Sequence, residues 1–369
     1  MPPFRGHFWF ELDFKFRDIC ETMDHMDRRR AQLYLVEATK IAALAFIYFL
    51  SAKFGLEFAS VNASSTAIWP PTGIAITALL VFGYRLWPGV FIGAFFVNLV
   101  TAGSILTSLG IATGNTLEGF FAAYLVNNLA NGANFFEKPW NIFKYVILAG
   151  FVSTAVSASI GVTSLALGGF ANWPDYVEIW LTWWLGDMGG ALVLAPLLIL
   201  LLKRTRIQWV ETQYAEAVFV FTCLVMASLV VFGGIFEPVA RGYPIEYLSI
   251  PFLIWIAMRF GQLESAFGVF VLAVIANAGT LQSLGPFVRA NNNESLLLLQ
   301  AFLAVASLTS MILSAVVTES RRLIAEEKDL EMRLKKDNDS LEKFNKFMVN
   351  RELKMIQLKK EIKDLQERD

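Results

Sequence analysis

Charge is scarce in this chain. Only 17% of its 369 residues are Asp, Glu, Lys or Arg, while 56% are hydrophobic. A soluble domain is nearer a quarter charged, so this composition excludes an ordinary soluble fold and calls for membrane spans. Histidine is almost absent too. His7 and His25 both precede the first apolar run, which excludes a histidine-based metal or catalytic site within the membrane. Cys20 and Cys223 lie too far apart in sequence to suggest a disulfide framework or a ligand spacing. The net charge of −1 gives no global field to attract nucleic acid. No P-loop, Rossmann glycine pattern or kinase motif occurs, so no residue set here transfers phosphate. No cofactor and no metal is expected, and the chain reads as a non-enzyme.

What is present is apolar sequence in lengths of about 20 residues, the span a bilayer demands. Ten such stretches fall near 32–55, 67–83, 86–103, 107–129, 143–168, 177–202, 214–234, 247–260, 264–283 and 297–319. The eighth is short and reads as re-entrant or tilted. The expected fold is all-α, a polytopic transmembrane helix bundle of 8–10 spans continuing into a cytoplasmic coiled coil. Three regions follow: an N-terminal segment at 1–31, a transmembrane domain at 32–319 and a charged tail at 320–369. The N-terminal segment has no signal-peptide pattern. Its Phe8, Leu12, Phe16 and Ile19 stand at the spacing of an interfacial helix, with a loosely ordered leader as the alternative. Lys and Arg gather in alternate short loops, from Arg28, Arg29 and Arg30 to Arg321 and Arg322, which places both termini in the cytoplasm.

Polar groups at membrane depth are the candidate site. Asn115 and Glu118 fall near the middle of the fourth stretch and Asp187 near the middle of the sixth, beside Trp183 and Trp184. Asn98 and Asn277 occupy the outer halves of the third and ninth. A carboxylate at the bilayer centre costs about 2.5–3.5 kcal/mol on insertion scales, so it normally faces a partner or a watery cavity. One reading is a ligand-sensing pocket lined by Trp69, Pro70, Gly73 and these groups; the other is interhelical hydrogen bonding that holds the bundle together. Trp69 is expected at the outer interface, and Pro70 and Pro71 suit a first helical turn because they lack N–H donors. Gly89 with Gly93 and Gly186 with Gly190 permit close helix crossing.

The tail changes character. No Pro or Gly interrupts it after the last span. Leu334, Leu341, Met348, Met355 and Ile362 recur every seventh residue, and Phe344, Leu358 and Leu365 hold the complementary position. That 3.5-residue period is a dimer seam of a left-handed coiled coil, broken at Asp337 and Arg351.

Four motifs, WPPTGIA at 69–75, RLWPG at 85–89, GNTLEG at 114–119 and WWLGDMGG at 183–190, resemble the first class of the MASE membrane-associated sensor domains, over about residues 32–320. The resemblance implies a bacterial inner-membrane input domain that commonly precedes a histidine kinase, diguanylate cyclase or phosphodiesterase. The segment 347–366 is similar to linker helices that precede phosphotransfer domains in sensor kinases. The expected partners are therefore a second copy through the coiled coil, a cytoplasmic kinase or cyclase, and a small ligand or membrane protein as stimulus. The rival readings are a secondary transporter, against which stands the lack of an internal repeat in the motif order, and a membrane anchor that scaffolds a kinase.

Overall fold

A computed structural model describes residues 32–56, 59–62, 65–66, 68–203, 209, 211–234 and 244–366. The N-terminal segment at 1–31 lies outside the described residues. The described chain is helical apart from a short antiparallel pair, β1 (Ala59–Asn62) and β2 (Ser65–Thr66). The helices are α1 (Gln32–Leu56), α2 (Pro70–Val81), α3 (Trp87–Ala102), α4 (Ile105–Leu129), α5 (Pro139–Leu167), α6 (Trp173–Leu202), α7 (Glu211–Phe232), α8 (Ile250–Arg259), α9 (Gln262–Leu281) and α10 (Asn292–Gln366). Each of the ten apolar stretches thus holds a helix. Seven of the helices are long and apolar enough to cross a membrane. At 25 residues α4 spans about 37 Å, which is also sufficient, but it carries the polar core residues. The chain separates into two compact units, one ending at Val316 and one beginning at Val317.

Two helices are too short to cross. α2 has 12 residues and so rises only about 18 Å of a roughly 30 Å core. Its position is fixed at its end, because Arg85, just beyond it, pairs with Glu37 in the first turns of α1 at 3.1 Å. The ends of α2 and the starts of α1 and α3 therefore share one face, and α2 begins at mid-depth. Trp69, its N-cap, is buried beside the centre of α6, where its N–H donates to the Gly186 carbonyl at 2.9 Å. This corrects the expectation that Trp69 sits at the outer interface. The apolar run from 67 reads as a full span, but a half-length helix anchored at one face must begin in the interior.

α8 repeats the device. It has 10 residues, carries a proline in its first turn, and ends at Arg259, which pairs with Glu216 in α7 at 2.7 Å. Both short helices run into a Phe–Gly pair, Phe82–Gly83 and Phe260–Gly261. The following helices share a further pattern: Gly89-Val90-Phe91, Ala94 and Asn98 in α3 match Gly268-Val269-Phe270, Ala273 and Asn277 in α9 at identical spacing. The two asparagines also behave alike, donating to Ala94 O at 2.8 Å and to Ala273 O at 2.7 Å. α1–α3 and α7–α9 thus repeat one local pattern. The motif order hides this repeat, because its second occurrence lacks the WPPTG motif and its pieces slip by one residue. The ion pairs are exposed and worth little in stability; their value is as markers of the face.

α6 holds the bundle together. Pro196 has no N–H to give to the Leu192 carbonyl, and Gly190–Leu194 widens into a π-turn just before it. The carbonyls this exposes are taken by side chains from other helices. Tyr145 donates to Ala191 O at 2.7 Å, and Ser307 of α10 donates to Leu192 O at 2.6 Å. A second π-turn, Val146–Val152 in α5, packs opposite, with Gly150 against Leu192. The glycine pairs let backbones meet: a Cβ on Gly73 would lie 2.6 Å from Gly190 O, and one on Gly93 would lie 2.7 Å from Ala45 O. Gly190→Ala would set a methyl against the Trp69 carbonyl and the Thr72 side chain. The expected outcome is a loss of about 1–3 kcal/mol, as for other overpacked cores. Thermal unfolding of the detergent-solubilised protein measures it, and a melting point equal to wild type would refute the α2–α6 contact.

Candidate functional site

A helix starting in an apolar layer must account for its unpaired N–H groups. The sequence Trp69-Pro70-Pro71-Thr72 does so locally. The two prolines have no N–H, the Thr72 N–H bonds to Trp69 O at 3.2 Å, and the Trp69 N–H goes to Gly186 O. The helix start is thereby neutral in hydrogen bonds, yet it keeps the positive end of its dipole. Gly73 allows the approach to α6 that this requires.

The start of α2 faces two carboxyl groups. Thr72 Oγ1 lies 3.1 Å from Glu118 Oε2 of α4 and 3.1 Å from Asp187 Oδ1 of α6. All three side chains are buried, and the two carboxyls lie within electrostatic reach of each other. One hydroxyl has one proton to donate. The second contact is a hydrogen bond only when a carboxyl supplies the proton. Beside it, Ser157 of α5 donates to Asn115 Oδ1 at 2.9 Å and accepts from Trp183 Nε1 at 3.2 Å. Tyr48 of α1 completes the surroundings: its hydroxyl is close to Trp69 and Asn115 and within electrostatic reach of both carboxyls.

Glu118 Oε1 and Asp187 Oδ2 of this cluster are buried and unbonded. Buried polar groups are ordinarily paired; the Tyr48 hydroxyl is within hydrogen-bonding range of Trp69 and Asn115, so the outer carboxyl oxygens of Glu118 and Asp187 are the ones left to explain. Among the described residues no group of three or more His, Cys, Asp or Glu could hold a metal ion.

The structure therefore brings together Trp69, Pro70, Gly73, Asn115, Glu118, Trp183 and Asp187 around the start of α2. It leaves out three expected members. Asn98 and Asn277 turn back onto their own helices, as described above. Trp184 points to the other side of α6, where its Nε1 donates to Phe151 O at 3.0 Å and its ring stacks on Trp180. Neighbouring residues on a helix differ by about 100°, so Trp183 and Trp184 cannot both face the cluster. Sequence reasoning missed Tyr48, Thr72 and Ser157. Thr72 lay within the WPPTG motif, directly after the prolines; a lone Tyr or Ser on an apolar helix gives no comparable signal.

The sequence model of the MASE1 family matches residues 41–321, well over half of the chain and every element of the bundle. No curated protein and no solved structure matches.

Replacing Thr72 by Val removes the shared hydroxyl while keeping the shape. Two buried carboxyl oxygens would then lose their partner, at a cost of about 1–3 kcal/mol. Thr72→Ser should retain most of the stability. Thermal unfolding of the two variants in parallel decides; equal melting points would mean that the hydroxyl holds neither carboxyl.

Proposed function

The chain belongs to the MASE1 family of membrane sensory domains in signal transduction, and we propose that it is an input protein of the bacterial inner membrane whose stimulus acts at the Thr72–Glu118–Asp187 cluster. The observation that carries the reading is the path from that cluster to the last helix. Asp187 stands one turn before the π-segment of α6, and Ser307 of α10 holds that segment through Leu192 O at 2.6 Å. A stimulus that binds two arrangements of α2, α4 and α6 unequally would move the π-turn, and with it α10. Equal binding to both arrangements would signal nothing.

The output leaves through the rest of α10. From Val317 onward the helix carries its apolar row exposed, with Leu334, Leu341 and Phe344 each about three-fifths accessible. A parallel homodimer through Leu334, Leu341, Phe344, Met348, Met355 and Leu358 covers that row. The seam residues Ile362 and Leu365 have side chains outside the described residues. A kinase or cyclase would read the pose of the pair, with both termini in the cytoplasm as the Lys and Arg distribution suggests.

A second reading, a secondary transporter, is favoured by the repeated pattern and its short helices, features of transporters that bind solutes at mid-depth. The long heptad tail has no use in a transporter. Solute uptake by vesicles reconstituted with the protein would favour this alternative.

Two outcomes test the sensory reading. Glu118→Gln, Asp187→Asn and Ser307→Ala should alter signalling while the protein stays in the membrane at wild-type levels. Normal signalling by all three would remove the cluster from the sensory route. Cysteines placed at Leu334, Leu341 and Met348 should cross-link between protomers; cross-links confined to off-seam positions would exclude the parallel dimer.

A further inference from the structure

Glu118 and Asp187 share one hydroxyl. Thr72 Oγ1 lies 3.1 Å from Glu118 Oε2 and 3.1 Å from Asp187 Oδ1, and it has a single proton. With both carboxyls ionised, one of these contacts is oxygen against oxygen with no hydrogen between. With one carboxyl protonated, both are hydrogen bonds: the acid donates to Thr72, and Thr72 donates to the carboxylate opposite. Either Glu118 or Asp187 can be the acid. Charge argues the same way. Each carboxyl residue is only 1% exposed, and two carboxylates bridged by one atom in an apolar core repel with little screening. Counter-charge is scarce. Among the described residues no Lys, Arg or His is hydrogen-bonded or ion-paired to either carboxyl. α2 and α3 carry no charged side chain, and α10 has none from Ser295 to Val317. α5 faces the pair with Ser157, while its Lys144 donates to Leu129 O. α1 faces it with Tyr48, the one other titratable group in electrostatic reach among the described residues. The positive end of the α2 dipole, about half a unit charge, offsets one carboxylate but not two.

A proton is the one ligand such a site can take without a cavity. The carboxyls also stand where a change of charge would move helices. Each has a neighbouring glycine in contact with the start of α2: a Cβ on Gly119 would lie 3.3 Å from Ala75 Cβ, and Gly186 O accepts from the Trp69 N–H at 2.9 Å. We propose that the cluster is a proton-binding switch: one exchangeable proton, shared by Glu118 and Asp187 through the Thr72 hydroxyl, holds α4 and α6 to the start of α2, and its loss parts them. On loss, the O–H bond of the acid breaks, its electron pair stays on the carboxylate, and the proton passes to a solvent water. One carboxylate is then left without the Thr72 donor, and two like charges face each other across the junction of α4 and α6. Asp187 stands one turn before the π-segment that Ser307 holds, so the separation acts on the contact with α10.

As a stimulus, the proton rests on the cluster being the sensory site, but its binding is tested without signalling. Full-length protein reconstituted in lipid is followed by infrared difference spectroscopy while the pH is stepped from acid to alkaline. Wild type should show a protonated-carboxyl C=O band at neutral pH that shifts in D2O and is lost reversibly at alkaline pH as carboxylate bands grow. Glu118→Gln combined with Asp187→Asn should abolish it. Thr72→Val should keep the band but shift its frequency, because the acid loses the hydroxyl it donates to, whereas Thr72→Ser should leave it in place; this pair stays decisive if the double carboxyl variant fails to fold. Spin labels on Ile105→Cys and Val177→Cys, at the starts of α4 and α6 and both exposed, report the helices in a background with Cys20 and Cys223 replaced by Ser. Their distance should lengthen over the pH range in which the band is lost. The proposal is overturned by a spectrum with no such band at neutral pH, by a band that the double variant retains or alkaline pH does not remove, by an unshifted band in Thr72→Val, or by an unchanged label distance. A band and distance that behave as expected, with normal signalling by the single carboxyl variants, would leave the proton switch standing and remove only the sensory reading.

Discussion

The architecture depends on one missing hydrogen. Pro196 has no N–H, so the Leu192 carbonyl four residues earlier is free, and the preceding turn of α6 widens around Gly190–Leu194. In water such a carbonyl would be solvated. In a lipid-embedded bundle it must find a protein donor, since each unsatisfied backbone group there costs several kcal/mol. Ser307 supplies one from α10, and Tyr145 supplies another to Ala191 O. A single proline thus obliges two other helices to place hydroxyls against α6. Gly190 lies against Trp69 and Thr72, and the Gly186 carbonyl caps the Trp69 N–H, so the backbone of α2 reaches the same stretch.

The start of α2 solves the mirror-image problem, donors without acceptors. Its prolines remove two of the N–H groups, and the other two are bonded to Trp69 O and Gly186 O. This solution explains why Trp-Pro-Pro must be followed by a small side chain and then glycine: Thr72 can reach the carboxyls, and Gly73 lies against Gly190. Bulk at either place would push the helix start away from the one carbonyl that caps it. Motif, half-helix and carboxyl cluster are therefore a single construction, although they come from residues more than a hundred positions apart.

Much of this was legible in the sequence, and what was not has physical reasons. The apolar runs mark all the helices, since length and hydropathy are set by the bilayer whatever the packing. They cannot distinguish a full span from a half-helix with an apolar lead-in, because both are apolar from end to end. Hence Trp69 reads as an interfacial anchor when it is an interior cap. Glu118, Asp187 and Asn115 stand out because polar groups at that depth are rare. Ser157 and Tyr48 do not, because hydroxyls are common on membrane helices and usually bond back to their own turn, as Ser153 and Thr154 do here. The internal repeat escapes a motif search because what it conserves is geometry: an acidic–Arg pair at one face, a Phe–Gly turn, and an asparagine bonded four residues back.

The magnitudes make the α6–α10 contact a reasonable place for information to pass. A hydrogen bond to a freed carbonyl contributes about 0.5–1.5 kcal/mol when made, and about 1–3 kcal/mol is lost when a buried partner is left alone. Coupling free energies between sites are of the same order, about 1–3 kcal/mol. A much weaker link would leave α10 indifferent to α6. A much stronger one, such as a buried ion pair, would lock the two helices in one arrangement. The ordinary i+4 donor for the Leu192 carbonyl is missing, because Pro196 has no N–H. Any rearrangement of the π-turn must therefore carry Ser307 with it or pay for an orphaned carbonyl. That makes Pro196 and Ser307 a matched pair, in which the proline creates the vacancy that the serine of the last helix fills.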